Sequence, residues 1–352
     1  MTIVIAGGGT GGHIFPGLAI AQKIKKLKPE IKLIFIGTKK GIEFKLVPKY
    51  NFKLKTIKIT GFKGKNLKNK IYSFLQLPLA ILKSIKILHK LKAKKILGVG
   101  GYASAPVIIA AILLRKPFFL CEQNSIPGFT NKLLSYFAIK IFGSFEYSRQ
   151  FFPGKKFILS GNPLRDGFNV KKNIKYNNII NILILGGSQG AHILNNCMPQ
   201  TLKLLQKKNQ IKLEHQTGKK EFKITKKKYE KLNLAVNIKI FINDILSSYK
   251  KADLVICRSG ATTCAEISAL CLPAILVPFS SAVYDHQTLN AYQLVKLGTA
   301  ILLPEHELTP EKLSKTISNL ILNSNRLKLM NKKAQQLNSY NASEKIALEL
   351  MN

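Results

Sequence analysis

Acidic residues and arginine are both scarce in this chain. Asp and Glu together number 17 against 56 Lys and Arg, only five of the 56 are arginine (Arg115, Arg149, Arg165, Arg258 and Arg326), and the net charge is +39. A surface that reads nucleic-acid phosphates clusters Arg and Lys with aromatics on one face. Here the lysines are spread along nearly every predicted helix and Trp is absent. That spread argues against nucleic acid as a partner and leaves a field attractive to anionic substrates and lipids. The cysteines (Cys121, Cys197, Cys257, Cys264, Cys271) are odd in number and form no C-x-x-C pair, which predicts reduced, buried thiols. No D-x-D, HExxH or Cys/His cluster asks for a metal, and GxxxxGK[ST] does not occur, which disfavours P-loop NTPases. The longest apolar run, Ala103 to Leu114, is too short to span a bilayer. The N-terminus enters an apolar strand with no charged region ahead of it, which predicts no signal peptide.

What is present points to an α/β protein with two halves. Ile3-Val4-Ile5-Ala6 feeds Gly7-Gly8-Gly9-Thr10-Gly11-Gly12, then His13, then an apolar-periodic segment containing Pro16. This order reads as a buried parallel strand, a tight turn and a helix N-terminus whose free amides suit an anion. Gly7, Gly9 and Gly12 satisfy G-x-G-x-x-G, but the next strand, Lys32 to Ile36, ends in Gly37-Thr38-Lys39-Lys40. The acid that would hold a dinucleotide ribose is missing there, so a nicotinamide dehydrogenase is disfavoured. The opening pattern returns at Ile182 to Leu185 followed by Gly186-Gly187-Ser188-Gln189-Gly190-Ala191. Further strands are predicted at Ile96–Val99, Phe118–Cys121, Lys140–Phe142, Phe157–Leu159, Ile211–His215, Lys239–Ile242, Leu254–Cys257, Ala274–Val277 and Ala300–Leu303, with helix-length segments between most of them. The pattern predicts two parallel sheets wound with helices, facing across a cleft at the C-terminal ends of their strands. The turn-rich run from Gly161 to Gly167 marks the boundary.

Three stretches carry candidate chemistry. Cys257-Arg258-Ser259-Gly260-Ala261-Thr262-Thr263-Cys264-Ala265-Glu266 reads as strand, turn and helix start, suited to a phosphate. Glu266 there either bonds a ribose diol or simply favours the helix dipole. His13, at the mouth of the first turn, is either a structural hydrogen-bonder or a base. Finally, Phe62 to Lys95 interleaves Ile71, Phe74, Leu75, Leu79, Ile81, Leu82, Ile85 and Leu88 with lysines. It forms a basic amphipathic helix that either packs on the sheet with a wet lysine face or rests on an anionic membrane.

The ordered set Gly8 to Pro16, Gly100-Gly101-Tyr102, Glu122-Gln123-Asn124, Gly161-Asn162-Pro163-Leu164-Arg165, Gly186 to Ala191, His215-Gln216-Thr217-Gly218, Cys257 to Ala261 and Asp285-His286-Gln287 spans almost the whole chain. Together these motifs resemble the MurG family, glycosyltransferase family 28, whose members transfer N-acetylglucosamine from UDP to lipid I. The resemblance implies a GT-B fold of two Rossmann-like, doubly wound domains, at residues 1–163 and 164–336, with a C-terminal helix at about 337–352 packing back on the first. It implies metal-independent inverting transfer without a cofactor, at the cytoplasmic face of the bacterial inner membrane, with other cell-wall synthesis proteins as candidate partners. Carried over by position, Thr10, Gly11, Gly12 and Asn124 face the donor sugar, and Arg165 and Ser188 hold the diphosphate. Ile242 meets uracil through its backbone, Ala261, Thr262, Thr263, Cys264, Ala265 and Glu266 hold phosphate and ribose, and Gln287 contacts sugar hydroxyls. His13 is the candidate base or an acceptor ligand. An undecaprenyl-linked acceptor must be met at a bilayer, which gives Phe74, Leu75 and Leu82 weight as membrane contacts.

Overall fold

The computed structural model describes residues 1–61, 67–168, 170–172, 179–205, 210–280, 285–322, 324–336 and 341–352, with backbone alone at 67–74, 155, 210 and 324. Phe62 to Lys65 and Ser281 to Tyr284 therefore lie outside the described residues, as does the side chain of Phe74. Contacts divide the chain into two compact units, Met1–Asp166 with Tyr340–Asn352, and Gly167–Ser339.

The first unit is built on seven parallel strands: β1 (Thr2–Ala6), β2 (Lys32–Thr38), β3 (Lys53–Ile57), β4 (Lys95–Gly98), β5 (Phe118–Glu122), β6 (Lys140–Gly143) and β7 (Phe157–Leu159). Their order is β3-β2-β1-β4-β5-β6-β7. Side chains alternate across a strand, so Ile3 and Ile5 enter the core on one face and Val4 and Ala6 the core on the other. Helix α1 (Gly11–Leu27) covers the first face together with the chain's last helix, Ala342–Met351. That last helix buries Ile346 and Leu350, each worth about 1.5–3 kcal/mol, and adds the ion pairs Lys23–Glu344 and Lys140–Glu349. Between β2 and β3 lies the short helix α2 (Glu43–Lys49), and the second face is covered by α3 (Leu67–Lys90) and α4 (Ser104–Leu113).

Helix α3 packs on the second face of the sheet. Gln76, Ala80, Ser84 and Leu88 are buried, four residues apart, while Leu75, Leu79 and Leu82 are 64%, 69% and 56% exposed. The inward stripe includes small and polar residues, and three large leucines face outward.

The second unit has six parallel strands: β8 (Ile179–Leu185), β9 (Gln210–Gln216), β10 (Asn237–Lys239), β11 (Leu254–Cys257), β12 (Ala274–Leu276) and β13 (Ala300–Leu302), in the order β10-β9-β8-β11-β12-β13. Helices following these strands include α5 (Phe129–Leu134) in the first unit, and α6 (His192–Leu205), α7 (Phe222–Lys231), α8 (Ile245–Lys251), α9 (Ala261–Ala269) and α10 (His286–Lys296) in the second. The strand expected at Lys239–Ile242 is instead Asn237–Lys239. Lys239 pairs with Gln216, the last residue of β9; beyond it Gly218 N–H still donates to the Ile240 carbonyl (3.2 Å), but Ile242 N–H goes to the Gln216 side chain and not to backbone.

Both sheets reverse strand order beside their first strand, between β1 and β4 and between β8 and β11. In open α/β sheets such a switch point opens the crevice that receives ligands.

His215, on β9, is fully buried and shares a 2.9 Å hydrogen bond between its Nδ1 and the Tyr229 hydroxyl. Burial pulls its pKa from 6.5 down to about 3, so the ring stays neutral in the fold and protonates only on unfolding. Its contribution is whole above pH 6.5 and declines as pH falls toward 3, by about 3 kcal/mol between pH 7 and pH 4. Denaturant titrations should therefore show a His215→Phe variant losing less stability than wild type over that range. Parallel pH dependence in the two proteins would refute this.

Candidate functional site

In the first unit, the turn Gly7 to Thr10 carries β1 into α1. Thr10 is extended (φ −135°, ψ 159°) and its carbonyl accepts the N–H of His13 (3.3 Å) and Ile14 (3.2 Å). The first-turn amides of Gly11 and Gly12 have no intrahelical acceptor, and the dipole adds positive character there. The turn after β4 presses against this one. Gly101 has φ 78°, and a Cβ there would lie 2.1 Å from the Gly8 carbonyl oxygen, so only glycine fits. A Cβ at Gly100 would lie 2.8 Å from His13 Nδ1.

The strand end of β5 orients His13. Gln123 is buried and its Nε2 donates to the carbonyls of Val99 (3.2 Å) and Cys121 (3.4 Å). Its Oε1 is thereby turned to His13 Nδ1 at 3.2 Å, so Nδ1–H donates and Nε2 is the basic nitrogen of the neutral ring. Glu122, also buried, accepts from the backbone and side-chain nitrogens of Asn124 (3.0 and 3.4 Å), from Gly128 N–H (3.3 Å) and from Asn131 Nδ2 (2.8 Å). Burial raises its pKa, and these donors work against that rise. Arg165 places its guanidinium 4.5 Å over the ring of Phe15, on α1.

In the second unit the turn after β8 exposes Ser188. Gly190 (φ 82°) lets this turn touch the next loop: a Cβ there would lie 1.9 Å from the Thr217 carbonyl oxygen. Gln216 ties the turn to the sheet edge, donating to Gly187 O and accepting Ile242 N–H, both at 2.8 Å. After β11, α9 starts beyond Gly260 with the amides of Ala261, Thr262 and Thr263 lacking intrahelical acceptors; Cys264 N–H returns to Gly260 O at 2.9 Å. The hydroxyls of Ser259 and Thr262 are buried with no described hydrogen-bond partner. One turn on, Glu266 is buried and accepts the Tyr249 hydroxyl proton at 3.1 Å. Burial and the neighbouring Glu266 charge push the Tyr249 phenol well up, so it remains a donor.

Two further contacts shape this end of the sheet. Arg258 donates to Pro278 O (2.9 Å), Val277 O (3.2 Å) and Glu305 Oε1 (2.8 Å). Burial alone would raise Glu305, but Arg258 and the Ser280 N–H bring it down to about 2. Asn290, on α10, donates to Ser259 O at 3.2 Å, and Gln287 accepts Phe279 N–H at 3.0 Å, leaving its Nε2 as donor.

The glycosyltransferase family 28 N-terminal domain matches residues 3–143, and the family 28 C-terminal domain matches residues 181–346. The chain belongs to glycosyltransferase family 28. It is 41% identical, over 99% of its length and 91% of the relative, to the UDP-N-acetylglucosamine–N-acetylmuramyl-(pentapeptide) pyrophosphoryl-undecaprenol N-acetylglucosamine transferase of Myxococcus xanthus. The crystal structure of Acinetobacter baumannii MurG superposes with a TM-score of 0.79 at 31% identity, covering 99% of both chains. A Neisseria meningitidis UDP-GlcNAc 2-epimerase (TM-score 0.70, 15% identity, 100% of this chain and 99% of that one) shares the fold alone.

Within this family-28 chain, the expected site residues fall into two groups. Thr10, Gly11, Gly12, His13 and Asn124 gather at the switch point of the first sheet; Ser188 and Ala261 to Glu266 gather at that of the second. Arg165, expected beside Ser188, belongs to the first unit. Ile242 has its N–H engaged by the Gln216 side chain at 2.8 Å. Cys264 is buried, and burial pushes its thiol up to about 12. Among the described residues no group of three or more His, Cys, Asp or Glu could hold a metal ion. Sequence reasoning assigned no role to Gln123, Gln216, Tyr249 or Asn290, whose contacts lie across the fold; Gln123 and Gln216 had a local signal, their places in the motifs Glu122-Gln123-Asn124 and His215-Gln216-Thr217-Gly218.

Proposed function

We propose that this chain transfers N-acetylglucosamine from UDP-N-acetylglucosamine to undecaprenyl-diphosphate-N-acetylmuramoyl-pentapeptide, lipid I, with inversion, giving lipid II for peptidoglycan synthesis. The observation that carries the reading is the second switch point. A helix start with free amides and two buried, unpartnered hydroxyls stands one turn from a buried carboxyl, the donor and acceptor set for a nucleotide's phosphate and ribose diol. The identity with a relative of this named activity supports the choice of substrates.

The residues then divide the work. Glu266, fixed by Tyr249, takes the ribose hydroxyls, the Ile242 carbonyl reads uracil, and Gln287 Nε2 donates to the sugar. Departing UDP gathers negative charge, which the Ala261 to Thr263 amides and Ser188 stabilise without reorganising. Thr10, Gly11, Gly12 and Asn124 contact the donor sugar. His13 Nε2 removes the proton from the attacking acceptor hydroxyl, and the anomeric carbon inverts because attack comes opposite the leaving UDP. Transfer of labelled N-acetylglucosamine to a lipid I analogue, with EDTA present, tests the reading. Undiminished transfer is expected. Loss on chelation overturns metal independence, and transfer to diacylglycerol in place of lipid I overturns the acceptor.

The acceptor's lipid places the enzyme peripherally on the cytoplasmic face of the inner membrane, an anionic surface. No helix among the described residues is long and apolar enough to cross a membrane. The outward leucines of α3, Leu75, Leu79 and Leu82, lie among lysines whose attraction to anionic lipid is about 1 kcal/mol each near the surface. Phe74 is a further candidate contact. Replacing the three leucines with Ser is expected to weaken binding to phosphatidylglycerol vesicles at least about tenfold, since each buried leucine is worth about 1.5–3 kcal/mol. Unchanged vesicle binding in a sedimentation assay would remove this face from the membrane.

A further inference from the structure

Glu43 is completely buried at the start of α2, five residues past the end of β2. Its Oε2 accepts Gly9 N–H at 2.8 Å, and its Oε1 accepts both the N–H and the hydroxyl of Thr38, each at 2.8 Å. Thr38 Oγ1 takes Gly41 N–H at 3.1 Å and lies 3.3 Å from the Tyr102 hydroxyl. With the threonine proton committed to Glu43, Tyr102 is the donor. The tyrosine ring covers Gly9, where a Cβ would fall 2.6 Å from Cε1. Three more glycines close the cradle: a Cβ would lie 2.3 Å from Glu43 Cδ at Gly8, 2.1 Å from Oε2 at Gly41 and 2.5 Å from Cγ at Gly37.

A dinucleotide fold carries its acid at the end of the second strand, facing a ribose. Here the acid comes from the following helix and turns inward. It takes the Gly9 amide, the kind of donor that a strand, glycine turn and helix start offers to a phosphate. We propose that Glu43 is a built-in anion filling the first glycine turn, so that the turn positions Thr10 for the donor sugar and His13 for the acceptor instead of receiving a nucleotide phosphate. The inference rests on the transfer reading above. Glu43 touches no substrate in it. As a positioning residue it joins the residue before Thr10 to the end of β2 and, through Thr38, to Tyr102.

The test uses Glu43→Gln, Glu43→Asp and Glu43→Ala in the full chain. Glutamine sets an N–H donor against donors already aimed at the carboxyl, and displacing catalytic groups by about 1 Å costs on the order of 100-fold. Glu43→Gln is expected to lower kcat by about that factor with KM for UDP-N-acetylglucosamine within about threefold, the nucleotide groups being in the second unit. Glu43→Asp is expected to recover part of the loss. Millimolar formate, entering the vacated anion position, is expected to raise kcat of Glu43→Ala at least about tenfold and to leave wild type unchanged. A Glu43→Gln kcat within threefold of wild type overturns the proposal. So does a loss that follows a fall in Tm and is restored neither by formate nor by aspartate. Formate should also raise the Tm of Glu43→Ala and not that of wild type; this readout needs no turnover, so it stands even where wild type fails to glycosylate the lipid analogue, a result that would sink the transfer reading alone.

Discussion

His13→Ala is expected to lower kcat by about 10²- to 10⁴-fold, the usual worth of a positioned general base. The expectation follows from the tautomer. Gln123 spends its amide hydrogens on Val99 and Cys121 carbonyls, so its oxygen can only accept from His13, and the basic electron pair stands on Nε2. The glycine turn at Gly100 and Gly101 packs against the ring and restricts where it can move. The loss should fall on kcat, with KM for UDP-N-acetylglucosamine within about twofold, because the proposed nucleotide groups lie on the other unit. Gln123→Met, which keeps the volume but frees the ring to choose either tautomer, should lose a smaller factor of about ten. A His13→Ala kcat within tenfold of wild type, with a raised acceptor KM, would make His13 an acceptor ligand and not the base.

The second large effect is expected at Glu266. Glutamine there still accepts the Tyr249 hydroxyl through its carbonyl oxygen, so the local fold is kept while the carboxylate is lost. Hydrogen bonds to a charged partner are worth about 1.5–3 kcal/mol, so KM for UDP-N-acetylglucosamine should rise roughly 10- to 150-fold in Glu266→Gln. The assignment to the ribose is testable by pairing the variant with 2′-deoxy-UDP-N-acetylglucosamine. Wild type should discriminate strongly against the deoxy donor, and Glu266→Gln should barely distinguish the two. Equal discrimination by both proteins would return Glu266 to a role at the helix start alone.

Much of this was legible in the residues. The two strand–glycine–helix echoes at Gly7 and Gly186, each opening a run of alternating strands and helices, predicted two parallel doubly wound units. The motif at Gly260 to Glu266 pointed to an anion site with a carboxyl nearby. Less visible were α2 and β3, whose sequence Lys53-Leu54-Lys55-Thr56-Ile57 shows an edge strand's wet alternation within a lysine-rich background. The extent of β10 was misjudged because Ile240 to Ile242 continue an apolar run past the point where its backbone pairing gives way to the Gln216 side chain.

The sequence alone determined the type and order of most elements, because burial periodicity and turn chemistry are local properties of the chain. It also determined which residues stand at strand ends, and so the two anion-ready helix starts. Only the tertiary structure decided their partners: Gln123 on His13, Tyr249 on Glu266, Arg165 on Phe15 and Glu43 on Gly9. These pairs are joined by the crossing of chain segments from 17 to 150 residues apart, as in Tyr249–Glu266 and Phe15–Arg165, and no local pattern encodes such meetings. Glu43 shows the difference most plainly. The acid absent from the end of β2 in the sequence is present in the fold, delivered by α2 and turned to the glycine amide, because Gly8, Gly37 and Gly41 leave a carboxyl-sized space there.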